Sequence, residues 1–271
     1  MAVIKVVVAG AAGRMGIANV KAVVASRDLQ LCGALDHVNS PALGKDIGIL
    51  AGLEPMNIPV SSDTQKALKG ADVIIDFTTP GATRALAKIA ADKGLAHIIG
   101  TTGCTKDDEA ALHAFVKSGA RIVKSGNMSL GVNILAALVQ KAAAALGDDF
   151  DAEILEMHHN KKVDAPSGTA LMLGEAVATG RNIDLNANAV KSREGITGPR
   201  EKGSIGFATL RGGNVVGDHT VMLIGPNERI ELSHFAQDRA LFANGAVRAA
   251  IWAINKSPGY YSMADVLGLN D

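Results

Sequence analysis

Residues 4–16 read IKVVVAGAAGRMG, and this stretch decides the fold. Its first six residues, Ile4–Ala9, form a nearly continuous apolar run, which is typical of a parallel strand buried on both faces. A glycine-rich segment interrupts the run, and apolar residues then recur at helical spacing between Ile17 and Val24. The stretch therefore predicts a strand, a glycine loop and an amphipathic helix, which together open a βαβ unit.

Short apolar runs continue to alternate with helical patterns through the first half of the chain. These runs lie at residues 29–35, 73–77, 95–99 and 121–123. Strands that alternate with helices are joined by right-handed crossovers into a parallel sheet. The predicted fold class is α/β, with a Rossmann-type, doubly wound parallel sheet.

The pattern changes after Asn127. An apolar stripe over 132–146 predicts a long helix, residues 150–159 resemble a strand, and another helix is expected from Ser167. Short alternating runs separated by glycine pairs follow between 189 and 236, and they indicate a mixed or antiparallel sheet. We therefore expect a second, α+β domain with a mixed sheet, followed by a last helix near the end of the chain.

Composition excludes several classes of protein. The chain has 271 residues, 48% of them hydrophobic and 20% charged, and 27 Lys and Arg residues balance 27 Asp and Glu residues. Such a chain is not disordered, and without excess positive charge we expect neither nucleic-acid nor membrane-surface binding. No uninterrupted apolar stretch is long enough to span a bilayer. Cys32 and Cys104 are too few for a disulfide scaffold and fit a reducing cytoplasm.

The glycine loop is a candidate dinucleotide site. Gly10, Gly13 and Gly16 follow a predicted strand and open a predicted helix, with GxxGxxG rather than GxGxxG spacing. Glycine is needed there because a side chain would keep the backbone away from a pyrophosphate, and the helix start offers N–H groups and positive dipole charge. The alternative is a purely structural glycine turn.

Asp36 follows the second predicted strand, twenty residues after Gly16. An acidic side chain at this point accepts hydrogen bonds from the adenosine ribose, which favours NADH. His37 beside it and Arg14 in the glycine loop are placed to face the 2′-phosphate of NADPH. The sequence therefore leaves both cofactors open.

Two further turns follow later predicted strands, TTPG at 78–81 and GTTG at 100–103. Ligands of open α/β sheets bind at the carboxyl ends of the strands, so these turns are candidates to contact the nicotinamide half of a cofactor. Helix N-caps use the same residue types, which is the structural alternative.

The densest group of reactive side chains is EMHHNKKVDAPSGTA at 156–170. His158, His159, Lys161 and Lys162 place four potentially cationic groups within five residues, just before a Pro-Ser-Gly-Thr helix start with unpaired N–H groups. This arrangement predicts a carboxylate-binding site that contains proton donors, and the structural alternative is a solvated basic turn. Adjacent strand residues point to opposite faces, so only one of the two histidines is expected to be the acid unless the loop begins between them. Adjacent histidines are also poor spacing for zinc, and no metal is expected.

With these motifs in view, the sequence resembles the family of 4-hydroxy-tetrahydrodipicolinate reductases, formerly called dihydrodipicolinate reductases, of lysine biosynthesis. The resemblance spans the whole chain. It rests on GAAGRMG at 10–16, DFTTP at 76–80, GTTG at 100–103, SGNMSLGVN at 125–133 and EMHHNKKVDAPSGTA at 156–170.

The resemblance implies NADH- or NADPH-dependent reduction of 4-hydroxy-tetrahydrodipicolinate, via dihydrodipicolinate, to tetrahydrodipicolinate in the diaminopimelate pathway to lysine. The substrate is a small dicarboxylate, and the expected protein is a cytoplasmic homotetramer. A dinucleotide-binding domain is expected at 1–128 and 240–271, and a substrate-binding and tetramerisation domain at 129–239.

The resemblance also implies individual roles. His158 is expected to be the proton donor and acceptor and Lys162 a proton donor, while His159, Gly168 and Thr169 bind substrate. The residues expected at the cofactor are Gly10, Ala11, Ala12, Gly13, Arg14, Met15, Asp36, His37, Gly100, Thr101, Thr102, Ser125, Gly126, Asn127 and Met128. Many relatives carry an acidic residue followed by arginine where this chain has Asp36-His37, and a neutral histidine holds a 2′-phosphate less firmly than arginine does.

Two other functions compete with the reductase. A semialdehyde dehydrogenase would use Cys104 as its nucleophile, because a thiol beside a cofactor turn suits that chemistry. A nucleotide-sensing regulatory protein would bind NAD(P)H without turnover, but it leaves the cationic cluster at 156–170 unexplained.

Overall fold

The structure of the protein is a computed structural model that describes residues 3–270. The chain divides into two compact units. Unit 1 comprises the described residues up to Leu130 and those from Arg239 onwards, and unit 2 comprises Gly131–Asp238.

Unit 1 contains a seven-stranded parallel sheet. Its strands are β1 (Ile4–Ala9), β2 (Leu29–Leu35), β3 (Val60–Ser61), β4 (Val73–Asp76), β5 (Ala96–Ile99), β6 (Arg121–Lys124) and β12 (Gly259–Tyr261). They follow the order β12-β6-β5-β4-β1-β2-β3. This is the strand order of a doubly wound dinucleotide-binding sheet with one strand added at its edge, so the predicted α/β class is confirmed.

Helices cover both faces of this sheet. They are α1 (Arg14–Ala25), α2 (Ile47–Leu50), α3 (Thr64–Ala67), α4 (Pro80–Lys93), α5 (Lys106–Lys117), α9 (Ala240–Ala253) and α10 (Met263–Leu267). Val6 and Val8 of β1 belong to one hydrophobic cluster with α1 and α9, while Val7 belongs to another with α4. Burial on both faces explains why the strand sequences are almost continuously apolar. Across residues 3–270, no helix combines the length and apolar character needed to cross a membrane.

Unit 2 contains a five-stranded mixed sheet, as predicted. Its strands are β7 (Asp151–His158), β8 (Ala189–Val190), β9 (Ile205–Arg211), β10 (Gly217–Ile224) and β11 (Arg229–Ala236), in the order β11-β10-β7-β9-β8. Its helices are α6 (Leu130–Leu146), α7 (Gly168–Arg181) and α8 (Leu185–Asn188). The central strand β7 pairs parallel to β9 and antiparallel to β10.

The two faces of β7 differ in burial. Its burial alternates strictly along the strand, and Ala152 and Ile154 pack with α6 and α7 in the core of unit 2. Because side chains alternate between faces, Glu156 and His158 continue this helix-facing side towards the carboxyl end of the strand. The fold thus places two ionisable side chains in line with a hydrophobic core.

Candidate active site

The glycine loop of unit 1 is shaped by two close contacts. Gly10 has a positive φ of 64°, which favours glycine, and a Cβ at Gly16 would overlap the carbonyl oxygen of Gly10. Gly13 occupies the N-cap of α1 and no side chain caps the helix. The start of α1 therefore offers N–H groups and positive dipole charge, which fits the pyrophosphate of a dinucleotide.

Asp36 lies directly beside this loop. Its carboxylate accepts hydrogen bonds from the backbone N–H of Ala12 at 3.1 Å and from that of His37 at 2.8 Å. The His37 Nε2 atom lies 3.9 Å from the same carboxylate, and 68% of the His37 side chain is exposed. A carboxylate has about four acceptor positions, so Asp36 retains capacity for ribose hydroxyl groups.

A cavity of about 810 Å³ opens beside the loop, within the usual size range for ligand sites. Its lining includes Gly10, Ala12, Gly13, Asp36, His37, Lys45, Ser62, Thr64, Thr78 and Thr79. The structure thus brings part of the predicted cofactor set together around one cavity. The predicted residues after β5 and β6 do not line it.

The turn after β5 is stabilised by a buried network of hydrogen bonds. The Thr101 hydroxyl accepts hydrogen bonds from the Thr78 backbone N–H at 3.1 Å and from the Thr83 hydroxyl at 2.8 Å. Beneath it, His97 Nε2 lies 3.0 Å from Asp76 Oδ2, and both side chains are fully buried. Burial raises the pKa of the Asp76 carboxyl, but hydrogen bonds from His97 and Thr78 outweigh this effect and hold it below its ordinary value.

The segment after β6 is equally well anchored. The Ser125 N–H donates to the Ile99 carbonyl at 3.1 Å, and the Ser125 hydroxyl donates to the Asn127 carbonyl at 2.6 Å. Met128 is 1% exposed, and a Cβ at Gly245 on α9 would overlap its carbonyl oxygen. The segments after β5 and β6, which both contain residues expected at the cofactor, therefore follow the carboxyl ends of neighbouring parallel strands, where ligands of such sheets bind.

In unit 2, a charged cluster surrounds the carboxyl end of β7. His158 Nδ1 lies 2.5 Å from Glu156 Oε2, and Glu156 is only 1% exposed. Arg211 on β9 donates from Nη1 to Oε2 and from Nη2 to Oε1 of Glu156, each at 2.8 Å. The Ser167 backbone N–H donates to Oε1 at 3.1 Å. Glu156 is thus a buried carboxylate with partners from three segments of unit 2.

This cluster determines the charge of both groups. Burial raises the pKa of the Glu156 carboxyl, but the hydrogen bonds from Arg211 and His158 outweigh it, and the net pKa lies below the ordinary value. Burial lowers the pKa of His158, Glu156 raises it, and the charges of Lys162 and Arg211 lower it, with a net decrease. We therefore assign an ionised Glu156 and a neutral His158 at neutral pH.

Lys162 lies in the loop that follows β7. Its Nζ atom donates to both carboxylate oxygens of Asp164, at 2.7 and 2.8 Å, and its side chain is 18% exposed. His159 precedes it, with its backbone N–H bonded to the Val215 carbonyl at 2.8 Å. The ammonium group of Lys162 is therefore already in a geometry that binds a carboxylate.

The start of α7 lies next to this loop. Ser167 caps the helix by accepting a hydrogen bond from Ala170 N–H at 3.1 Å, and its hydroxyl lies 2.9 Å from His219 Nε2. Gly168 is the first residue of α7, whose first turn contains no acidic residue. The positive end of the helix dipole therefore favours an anion at this point. Burial, followed by the charge of His158, lowers the pKa of His219 to about 4, so this ring is neutral.

Cys104 is the remaining candidate for covalent chemistry. Burial raises the pKa of its thiol, which disfavours the nucleophilic thiolate. Both cysteines are free. Within the described part of the chain, no group of three or more His, Cys, Asp or Glu side chains is arranged to hold a metal ion.

Two family models match consecutive parts of the chain. "Dihydrodipicolinate reductase, N-terminus" matches residues 4–128, and "Dihydrodipicolinate reductase, C-terminus" matches residues 131–267. The chain belongs to the dihydrodipicolinate reductase family. The resemblance inferred from its motifs is confirmed.

Similar curated proteins cover the chain from end to end. The 4-hydroxy-tetrahydrodipicolinate reductase of Rhodopseudomonas palustris (strain BisA53) is 56% identical over 271 residues, covering 100% of this chain and 99% of that protein. 4-Hydroxy-tetrahydrodipicolinate reductase 1 of Mesorhizobium japonicum is 58% identical over 265 residues, covering 97% of each.

Solved structures share the fold. A dipicolinate-bound dihydrodipicolinate reductase from Paenisporosarcina sp. TG-14 has a TM-score of 0.75 at 22% identity, covering 97% of this chain and 99% of that one. GenD2 from gentamicin A biosynthesis, in complex with NAD, has a TM-score of 0.60 at 14% identity, covering 99% and 91%. These similarities support the fold assignment of this family member.

The sequence motifs do not indicate a role for Glu156, Arg211 or His219. Glu156 stands in the quoted motif. It lies two residues before His158 on a strand, so both side chains are on one face, and this spacing is the signal that could have identified it. Arg211 and His219 reach the site only through strand pairing, opposite His158 on β9 and opposite Glu156 on β10. This register joins segments more than fifty residues apart, so no local pattern contains it.

Proposed function

We propose that the protein catalyses the NAD(P)H-dependent reduction of 4-hydroxy-tetrahydrodipicolinate, via dihydrodipicolinate, to tetrahydrodipicolinate in the diaminopimelate pathway to lysine. Membership of the reductase family supports this reaction. The observation that carries it is the cluster in unit 2, where His158, Lys162 and the start of α7 combine a proton-transfer group with two positive sites for carboxylates.

The residues of unit 1 fit a nicotinamide dinucleotide. Residues 10–15 would hold its pyrophosphate, because Gly10 and Gly13 carry no Cβ atoms that would keep the backbone away from it. Asp36 would bind the adenosine ribose. His37 and Lys45 line the same cavity, and the ammonium group of Lys45 would offer positive charge to a 2′-phosphate, which supports use of NADPH as well as NADH. When bound, either cofactor supplies the hydride.

The residues of unit 2 would bind the substrate and donate protons to it. Lys162 would exchange its contact with Asp164 for a substrate carboxylate and act as a proton donor. Gly168 and Thr169, at the positive end of α7, would hold the second carboxylate, and His159 would contact the ring system. Arrival of a dianion favours the protonated form of His158, which is then able to donate from Nε2.

Hydride addition to a conjugated cyclic imine leaves an electron pair on the ring, and a proton must neutralise it. A positioned acid of suitable pKa accelerates this transfer by about 10²–10⁴-fold. His158 has a defined orientation for this transfer, since Glu156 holds its other ring nitrogen. The chain therefore needs no covalent nucleophile for the proposed reaction.

We also propose that the protein is a cytoplasmic homotetramer. The face of the unit 2 sheet opposite α6 and α7 exposes 48% of Leu210 and 64% of Phe235. Exposed apolar groups on one sheet face support association with another copy. In this proposal residues 1–128 and 240–271 bind the dinucleotide, and residues 129–239 bind substrate and tetramerise. Light scattering coupled to size-exclusion chromatography measures the mass directly.

The decisive experiment mixes purified protein with freshly generated cyclic substrate and each reduced cofactor, and follows absorbance at the nicotinamide band. The proposal expects loss of absorbance that depends on substrate, with NADH and with NADPH. Cofactor binding without oxidation would instead indicate a nucleotide-sensing protein. Turnover of a semialdehyde that disappears in Cys104→Ser would indicate the dehydrogenase.

A further inference from the structure

Glu156 contacts His158 directly, and Arg211 contacts Glu156. Neither residue has a role in the reaction as described above. We infer that they are positioning residues, which keep one proton of His158 on Nδ1 and leave Nε2 as the atom that exchanges a proton with substrate. This inference rests on the proposed function and deepens it.

Glu156 determines which ring nitrogen carries the proton of neutral His158. An ionised carboxylate only accepts hydrogen bonds, so the nitrogen facing it must be protonated. That nitrogen is Nδ1, at 2.5 Å from Oε2. Because Glu156 is 1% exposed and lies on the same strand as His158, water does not compete strongly for this contact. Nε2 is therefore the ring nitrogen that is able to gain or lose a proton.

Arg211 holds the Glu156 carboxylate in place. Its two N–H groups engage both carboxylate oxygens in parallel, a geometry that a lysine does not reproduce. The guanidinium is itself fixed by the carbonyl oxygens of Leu210 and Asp164, each at 2.7 Å. Arg211 therefore compensates a buried negative charge and restricts its rotation.

The proton transfer balances with these assignments. Protonated His158 carries hydrogens on both ring nitrogens. The Nε2–H bond breaks, its proton passes to the ring that has gained an electron pair from hydride addition, and His158 becomes neutral with Nδ1–H still bonded to Glu156. No protonation of Glu156 is required, because Arg211 keeps it ionised.

The surroundings of His158 predict opposite effects for the two positioning residues. Glu156 faces it from β7, Arg211 from β9, His219 from β10 and Lys162 from the following loop. Burial lowers the pKa of His158, Glu156 raises it, and Lys162 and Arg211 lower it. Replacing Arg211 with a neutral residue is therefore expected to raise the pKa of His158, and replacing Glu156 is expected to lower it.

Nitrogen-15 NMR of the full-length protein with labelled histidine tests the tautomer without substrate, with His158→Gln to assign the signal. The inference expects Nδ1 protonated and Nε2 unprotonated in the neutral wild-type ring. It also expects the titration of His158 to move to higher pH in Arg211→Gln and to lower pH in Glu156→Gln. A proton on Nε2 in the wild type, or shifts in the same direction, would overturn it.

Kinetics adds a second readout. Arg211→Gln is expected to lower kcat by more than about tenfold and to move the alkaline limb of the pH profile upward. Arg211→Lys restores the charge but not the paired hydrogen bonds, so the limb is expected to return towards its wild-type position while kcat stays low. The matched control is Arg193→Gln, which removes an Arg–Glu pair with Glu153 on the same strand.

The Arg193→Gln control is expected to leave the alkaline limb of the pH profile at its wild-type position. Arg211 variants with a lowered kcat and an unmoved limb would show a merely structural role. If the wild type fails to oxidise cofactor with the proposed substrate, the proposed function fails, while the NMR titration still decides the positioning role.

Discussion

Gly217 on β10 lies against the imidazole of His158, so that a Cβ at Gly217 would come within 2.9 Å of Nε2. The ring has little freedom to move away, because its Nδ1 atom is held by Glu156. A glycine at this position therefore keeps space around the nitrogen from which a proton would be transferred.

Gly217→Ala is expected to displace the His158 ring and lower kcat by more than about tenfold, since proton transfer depends on hydrogen-bond geometry. Cofactor affinity, measured by fluorescence titration of NADH, is expected to stay unchanged because the cofactor loop lies in unit 1. The matched control is Gly212→Ala, where no heavy atom lies within 4 Å of the added Cβ. Equal kcat values for the two variants would contradict this role of Gly217.

Lys162→Ala is expected to lower kcat by more than about tenfold, because the variant loses both a carboxylate partner and a proton donor. His158→Ala is expected to do the same. Stopped-flow measurement of nicotinamide oxidation gives the rate, and NADH affinity is expected to remain intact in each variant. Lys161→Ala removes the exposed neighbouring lysine and is the control. Wild-type turnover in Lys162→Ala would remove this lysine from the mechanism.

His219 is expected to make the stability of the protein depend on pH. Its pKa falls from 6.5 to about 4 on folding, so below pH 6.5 the unfolded chain binds a proton that the native protein does not. The contribution is fully present above pH 6.5 and is lost as the pH falls towards 4, by about 3 kcal/mol in total.

Urea unfolding at a series of pH values measures this contribution. His219→Gln keeps an amide able to bond with Ser167 and does not titrate, so its free energy of unfolding is expected to fall less between pH 6.5 and 4 than that of the wild type. Parallel curves for the two proteins would show that the burial of His219 does not act on stability in this way.

The sequence predicted elements whose pattern is local. The strand–loop–helix from Ile4 to Val24 was recognised because each part has its own periodicity or glycine spacing. The sequence does not predict β3 and α2, because elements of two and four residues are too short for a periodic pattern to repeat. β12 is not predicted either, because a strand of three residues is too short to show an alternating pattern.

The site residues also differ in how far a local pattern predicts them. His158 and Lys162 stand within one motif, so residue type and spacing are enough to predict them as site residues. Arg211 depends on the pairing of β7 with β9, and the Asp36 contact with Ala12 depends on the pairing of β1 with β2. Contacts of this kind follow from the tertiary fold and become visible only with the strand register.

Cofactor choice is expected to depend on opposite charges in one cavity. Asp36 would bind the ribose hydroxyls of NADH and repel a 2′-phosphate, whereas Lys45 lines the same cavity and would attract it. Lys45→Ala is therefore expected to raise KM for NADPH several-fold more than KM for NADH. Because the interaction is partly exposed, added salt is expected to weaken NADPH binding more in the wild type than in Lys45→Ala.

Asp36→Ala is expected to have the reverse effect, raising KM for NADH more than KM for NADPH. Initial rates with each cofactor, at low and at high ionic strength, separate the two contributions. Lys21→Ala on the exposed side of α1 is the control, because Lys21 does not line the cavity. Equal changes for both cofactors in Lys45→Ala would mean that this lysine does not meet the 2′-phosphate.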